Sequence, residues 1–248
     1  MPGEITCDEK EVKVEVKAKG HEKVIASFPL EFEVCKRVVS PVKIDADLSE
    51  WKKHPYFVMD KRIQIHPGDR PVNWTGVEDL SAKVYAGWDK DNFYFAAEVI
   101  DDEHFNVQEG GGIWNGDSIQ LAFDTLSDAL ADISKADVRR GYDGTNDYEF
   151  TIALLKDGPS FYQSYGPGNA RKVKELAIVR KGNKTFYEIR IPFSALGPSH
   201  WEKGKVFGFN FVILEDDAGA GWEYWYQLTP GIAGGKDPRY FKRFVLVE

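Results

Sequence analysis

The chain has 248 residues, 42% hydrophobic and 14% aromatic, enough to build a core of ordinary size, and carries a formal charge of −8. Its Lys and Arg alternate with acids, as in Glu11-Val12-Lys13-Val14-Glu15-Val16-Lys17, so the clustered basic face of a nucleic-acid binder is excluded. No stretch reaches the ~20 apolar residues of a membrane helix, and two cysteines are too few for a zinc site or a disulfide framework.

From the start of the chain, Met1-Pro2-Gly3-Glu4 lacks the basic start and apolar run of a signal peptide, which suggests a mature form or an excised module. Val12, Val14 and Val16 alternate with charges, and Val24, Ala26, Phe28, Leu30, Phe32 and Val34 resume the pattern. Period-2 alternation predicts a β-ribbon over residues 10–39. Cys7 and Cys35 either pair across it or stay free thiols. Ser40-Pro41 is the candidate boundary between residues 1–40, a ribbon or the end of an upstream module, and a main domain over 41–248. Residues 62–80, with Pro67-Gly68 and Pro71, read as a long loop holding Trp74, and long loops in compact domains are often functional. Strands are expected near residues 82–88, 93–100, 117–123, 148–155, 160–165, 173–179, 186–191, 206–214, 224–228 and 241–247. Asp89-Lys90-Asp91-Asn92, Gly158-Pro159 and Lys181-Gly182-Asn183 supply turns between them. Ser127 is placed to cap a helix over 128–138, and 192–196 reads as a single turn. Many short strands with so little helix predict an all-β sandwich or jelly roll.

Two acid clusters stand out, Asp101-Asp102-Glu103-His104 and Glu215-Asp216-Asp217. Adjacent acids at a strand end are not the two carboxylates facing across a sugar cleft that a glycosidase needs. They read as strand-terminal loops, either solvated or holding calcium, with Asp101, Asp102, Asp216 and Asp217 as candidate ligands. The five histidines show no zinc spacing, and only Met59 is available as an internal methionine ligand to a haem. Gly110-Gly111-Gly112 lacks the Lys-Ser and helix of a phosphate loop and reads as a flexible lead-in to Ile113-Trp114. Trp51 and Trp88 fall on or beside strands and default to core. Trp114 lies in turn chemistry, Trp74 in the long loop, and Trp222 beside the loop Asp217 to Gly221. A loop tryptophan is either folded back as a lid or exposed to stack on a ligand, such as the C–H face of a sugar.

From about residue 42 onward the chain resembles a family 9 carbohydrate-binding module. The segments that carry the resemblance are Ile44-Asp45-Ala46-Asp47-Leu48-Ser49-Glu50-Trp51, Val84-Tyr85-Ala86-Gly87-Trp88-Asp89 and Trp114-Asn115-Gly116-Asp117-Ser118-Ile119-Gln120-Leu121-Ala122-Phe123-Asp124. Tyr187-Glu188-Ile189-Arg190-Ile191-Pro192, Phe207-Gly208-Phe209-Asn210 and Gly235-Lys236-Asp237-Pro238 continue it in order. The resemblance implies a jelly-roll β sandwich with bound calcium, non-catalytic glycan binding, and a secreted or cell-surface setting beside the catalytic domain of a glycan-degrading enzyme. It also implies a sugar held between two tryptophans with polar residues on its reducing-end hydroxyls. Trp114 matches the first tryptophan; the second falls on Gly235, a glutamate on Gln120, an arginine on Thr151 and an asparagine on about Ile232. A sugar site of Trp114, Asn115 and Gln120 is therefore expected, with Trp74, or else Trp222, facing Trp114. The alternatives are a spacer module that has lost the sugar site and a haem-binding redox sandwich of the related DOMON type.

Overall fold

A computed structural model describes residues 10–16, 24–39, 42–66, 68–69, 71–129, 141–168, 173, 175–197 and 199–248. Cys7, the Ser40-Pro41 boundary and most of the predicted helix over 128–138 lie outside those residues. Strand β1 (Lys10–Val16) pairs antiparallel with β2 (Val24–Leu30) in a separate two-stranded sheet, the ribbon that alternation predicts. Strand β3 (Glu33–Arg37) does not continue it, which corrects the ribbon at residues 33–37. It runs parallel to β15 (Lys242–Val247) and to β6 (Leu80–Trp88) inside the main sheet. Alternation reports which face of a strand is buried and says nothing about its neighbour. The inward residue is Cys35, a fully buried free thiol.

The remaining strands are β4 (Tyr56–Met59), β5 (Ile65–His66), β7 (Asn92–Asp101), β8 (Ser118–Asp124), β9 (Asp147–Leu155), β10 (Gly158–Tyr165), β11 (Glu175–Lys181), β12 (Lys184–Pro192), β13 (Val206–Glu215) and β14 (Tyr224–Gln227). One wall of the sandwich follows the order β10-β9-β8-β13-β15 and the other β6-β7-β12-β11. Strand β3 is the seam between them, and β10 approaches β11 at the far side, so the sandwich nearly closes into a barrel. The two walls meet through aromatic rings. Phe93 of β7 lies 5.1 Å from both Phe123 of β8 and Phe209 of β13, and Phe95 lies 5.9 Å from Phe211.

Alternation then decides what each outer face presents. On the second wall, Tyr85 and Tyr94 face outward and are covered by the segment that ends in Trp51. The Trp51 indole N–H donates to Glu188 Oε1 at 2.8 Å, and the backbone N–H groups of Asp45 and Ala46 donate to Oε2 at 3.0 Å. On the first wall, Ile119, Leu121, Phe123, Phe150, Ile152, Phe211 and Ile213 point into the core. Their neighbours Gln120, Glu149, Thr151, Val212 and Leu214 point the other way. That outer face is only partly covered, by Ile232 and Phe241 packed on Ala122, Val212, Leu214 and Trp225.

Candidate functional site: an aromatic cleft and an acid cluster

The uncovered part of the first wall is a cleft of about 1210 Å³. Its floor runs across four paired strands: Tyr162 (β10) opposes Thr151 (β9), Thr151 opposes Gln120 (β8), and Gln120 opposes Val212 (β13). Glu149 lies two residues from Thr151 on the same face.

Glu149 is the centre of a polar network. Lys236 Nζ donates to its Oε1 at 2.6 Å and its Oε2 at 2.5 Å, Tyr142 Oη donates to Oε2 at 2.7 Å, and Gln120 Nε2 donates to Oε1 at 3.3 Å. The Glu149 side chain is 2% exposed and that of Lys236 46%. A buried carboxylate is thus neutralised by an ammonium group that stands in the cleft. Burial, then the Glu149 charge, pushes the Tyr142 phenol well above its ordinary range, so it stays a donor. A lysine carries three N–H groups, and this one spends two on Glu149. The sequence reading missed Glu149. Its signal was a charged residue in mid-strand, in Tyr148-Glu149-Phe150, where the opposite face is core.

Trp114 stands at the rim, 39% exposed. Ile113 beside it is fully buried and pins the loop. Asn106 Nδ2 donates to the Ile113 carbonyl at 2.8 Å and to that of Asp117 at 3.1 Å, and the Asn115 N–H donates to the Gly112 carbonyl at 2.8 Å. The three glycines are therefore a fixed turn, Gly110–Gly112, and not a loose lead-in. A Cβ on Gly111 would sit 3.1 Å from the Tyr162 ring, so a side chain there would push the ring outward by a few tenths of an ångström.

Of the predicted sugar residues, Trp114, Gln120 and Trp222 line this one cleft. Asn115 is turned against Gly221, beside the cleft wall. Trp74 is elsewhere, which corrects its placement opposite Trp114. Its indole N–H donates to the Leu80 carbonyl at 2.9 Å and its ring meets Tyr226 edge-on at 6.4 Å, so it is a lid on the core. Its Pro/Gly loop carries short β5, which pairs with β14 and draws the segment inward. Trp222 packs against Trp225 at 5.2 Å over Gly68, whose φ of +55° and contact with both rings leave no room for a side chain. Gly235 is exposed, and a Cβ there would meet nothing within 4 Å. Ile232 is fully buried under the loop, and Met59 is a core residue whose sulfur accepts from Gln64.

The predicted metal residues divide. Asp101, Asp102 and Asp217 come together at one end of the sandwich with Asp79, Glu215, Asp117 and His104, which the sequence reading had not named as ligands. Three overlapping sets, Asp79-Asp102-Asp217, Asp101-Glu215-Asp217 and Asp101-His104-Asp117, each hold their ligand atoms within 4.8 Å of one another. Asp216 is not among them, which corrects that candidate. Its carboxylate accepts the Ala220 and Gly221 N–H groups at 3.0 Å and shapes the loop before Trp222. Both Glu215 oxygens, Asp101 Oδ1 and Asp217 Oδ1 are buried without a hydrogen-bond donor. Burial, reinforced by Asp117 and Asp101, holds the Glu215 carboxyl well above its usual range, and burial pushes Asp217 up to about 6. Arg180 reaches Asp101 Oδ2 at 3.0 Å; the Tyr224 hydroxyl donates to Asp79 Oδ1 at 2.7 Å. Crowded carboxyls with bare inward oxygens form a donor set that fits a hard cation with oxygen ligands.

A family model described as carbohydrate family 9 binding domain-like matches residues 51–248. No curated protein matches the chain. Among solved structures, a family 9 carbohydrate-binding module from Caldicellulosiruptor kristjanssonii in complex with cellotriose superposes with a TM-score of 0.64 at 15% identity. The match covers 86% of this chain and 93% of that one. The same organism's family 9 module in complex with glucose gives 0.63 at 15% identity, over 87% and 96% of the two chains. At that identity the likeness is one of fold.

Proposed function

The chain belongs to the carbohydrate family 9 binding domain-like family, and from that premise we propose that it binds glycan in the cleft over β8, β9 and β13 without catalysing a reaction. One observation carries the reading: an exposed tryptophan on a buried anchor stands over a floor whose buried carboxylate Glu149 is already neutralised by Lys236. A sugar needs both halves of that arrangement. Its C–H face packs on the Trp114 ring, and its hydroxyls meet Gln120, Ser164, Glu149 and the remaining N–H of Lys236. The solved neighbours in complex with cellotriose and with glucose support the ligand class. The role that follows is to hold an attached glycan-degrading enzyme outside the cell near its polysaccharide, a gain in local concentration.

The acid cluster, on the same reading, takes calcium through Asp79, Asp101, Asp102, Glu215 and Asp217. The ion supplies positive charge beyond that of Arg180, which pairs with Asp101, and the chain's own part is to fix the neighbouring loops. Asp117 accepts the Phe105 N–H at 2.6 Å and the Asp216 N–H at 2.9 Å, which joins the loop before Trp114 to the one before Trp222.

The test is a binding panel of soluble and insoluble glycans, read by calorimetry and by depletion from solution. Retention on at least one neutral polysaccharide, competed by its oligosaccharides, is the expected result. Failure across the panel, with the protein folded, favours a spacer module.

A further inference from the structure

The cleft has the wrong shape for a pocket that closes over the end of a sugar chain. Resting on the glycan-binding reading above, we propose that it is a groove for an internal stretch of a neutral glycan chain, several sugar residues long.

Length is the first observation. The cleft of about 1210 Å³ exceeds the ~300–1,000 Å³ of a site for one small ligand. Its floor crosses four strands, roughly 15 Å at ~4.8 Å per strand.

The second is the aromatic lining, which is spread out. Trp114 is joined by Tyr162, 41% exposed, Tyr165, 38%, and Tyr240, 56%, all on the cleft. Tyr162 lies on β10 against Gly111, next to Trp114's turn. Tyr165 is held further along, its hydroxyl donating to the Tyr142 carbonyl at 2.8 Å. Tyr240 projects from the loop on the Lys236 side. One sugar cannot touch all of these rings; a chain can rest on them in turn.

Third, among the described residues no side chain walls off the groove at Gly234 and Gly235. Both are exposed, and a Cβ added to either meets nothing within 4 Å. The groove is open there.

Charge selects the class of glycan. Glu149 is paired with Lys236 and Asp237 with Arg239, the latter at 2.5 Å, and Asp69 adds a further acid. Among the described residues the lining has no surplus positive charge to hold a polyuronate, and a neutral chain fits.

The experiment titrates the protein with glucose and cello-oligosaccharides up to the hexaose, each in native and borohydride-reduced form, alongside xylohexaose, mannohexaose and oligogalacturonate. For the binding series, affinity should rise about tenfold or more from disaccharide to hexasaccharide. Reduction of the chain end should leave hexasaccharide affinity within about twofold. Tyr162→Ala and Tyr240→Ala should weaken the hexasaccharide several-fold and the disaccharide little. Binding that is complete with one or two sugars, or that is lost on reduction, overturns the groove while leaving glycan binding intact. Preference for oligogalacturonate overturns the neutral class. No binding to any neutral or acidic sugar overturns the groove and the glycan reading together.

Discussion

In the pair at the floor of the cleft, Glu149 is buried and Lys236 is half in solvent, so the two partners are not equivalent. Removing the lysine leaves an uncompensated buried carboxylate, whereas removing the carboxylate charge leaves an ammonium group that water can solvate. Lys236→Met should therefore destabilise the fold by about 1–3 kcal/mol, and Glu149→Gln by clearly less, as measured by urea denaturation; equal losses would show that solvent already screens the pair. Gly235 makes a second prediction. Its surroundings are empty and its φ is not in the left-handed region. Gly235→Trp should fold normally and narrow the groove, raising affinity for glucose relative to the hexasaccharide in a titration. Residue identity revealed part of this site. Trp114 and Gln120 could be read because turn residues and the resemblance both mark them. Lys236 lay inside a quoted segment without a role, because its meaning depends on Glu149, 87 residues away.

The strands were the most legible elements. Between residues 80 and 247 every expected strand appears, because one face of each is core and the other is not, and period-2 alternation records that difference. Strands β4 and β5, four and two residues long, carry too few alternations to register. The acid cluster was half legible for a reason of topology. Asp79 precedes β6, Asp101 ends β7, Asp117 precedes β8 and Glu215 ends β13, and these strands pair antiparallel as β6 with β7 and β8 with β13. Following the chain up and down the sandwich brings the four to one end, which local acid density does not show. At the start of β9 the acid Asp147 is pushed up to about 7, by burial first and then by Asp124 and Asp128. Its carboxyl holds a proton in the folded chain that the unfolded chain releases from about pH 4. Its contribution is complete below that pH and is lost as the pH rises toward 7. Asp147→Asn should thus melt at a higher temperature than the parent at pH 8 in chelator, with the difference vanishing near pH 4. A difference that does not vary with pH would contradict this account.

At the scale of the whole molecule, one end of the sandwich holds acids with buried oxygens that lack a hydrogen-bond donor and one outer face holds a cleft, and Asp117 and Asp216 connect them. A cation bound only by the folded state must stabilise it. Calcium at about a hundred times its Kd should add about 2.7 kcal/mol, a rise in Tm of roughly 5–10 °C for a chain of this size. Chelator should reverse the rise, and Asp217→Asn should blunt it; a Tm indifferent to both would leave the acid cluster without this role. Trp51 on Glu188 covers part of the second wall's outer face, and the cleft lies on the first wall, which is the face assigned to the ligand. The most direct test of that assignment is a calorimetric titration of the parent protein and Trp114→Ala with a neutral oligosaccharide that the parent binds. The account predicts that Trp114→Ala keeps the parent's melting temperature within a degree or two, since the ring is at the rim, and loses about tenfold or more in affinity. Unchanged affinity in Trp114→Ala would contradict it and move glycan binding away from this cleft.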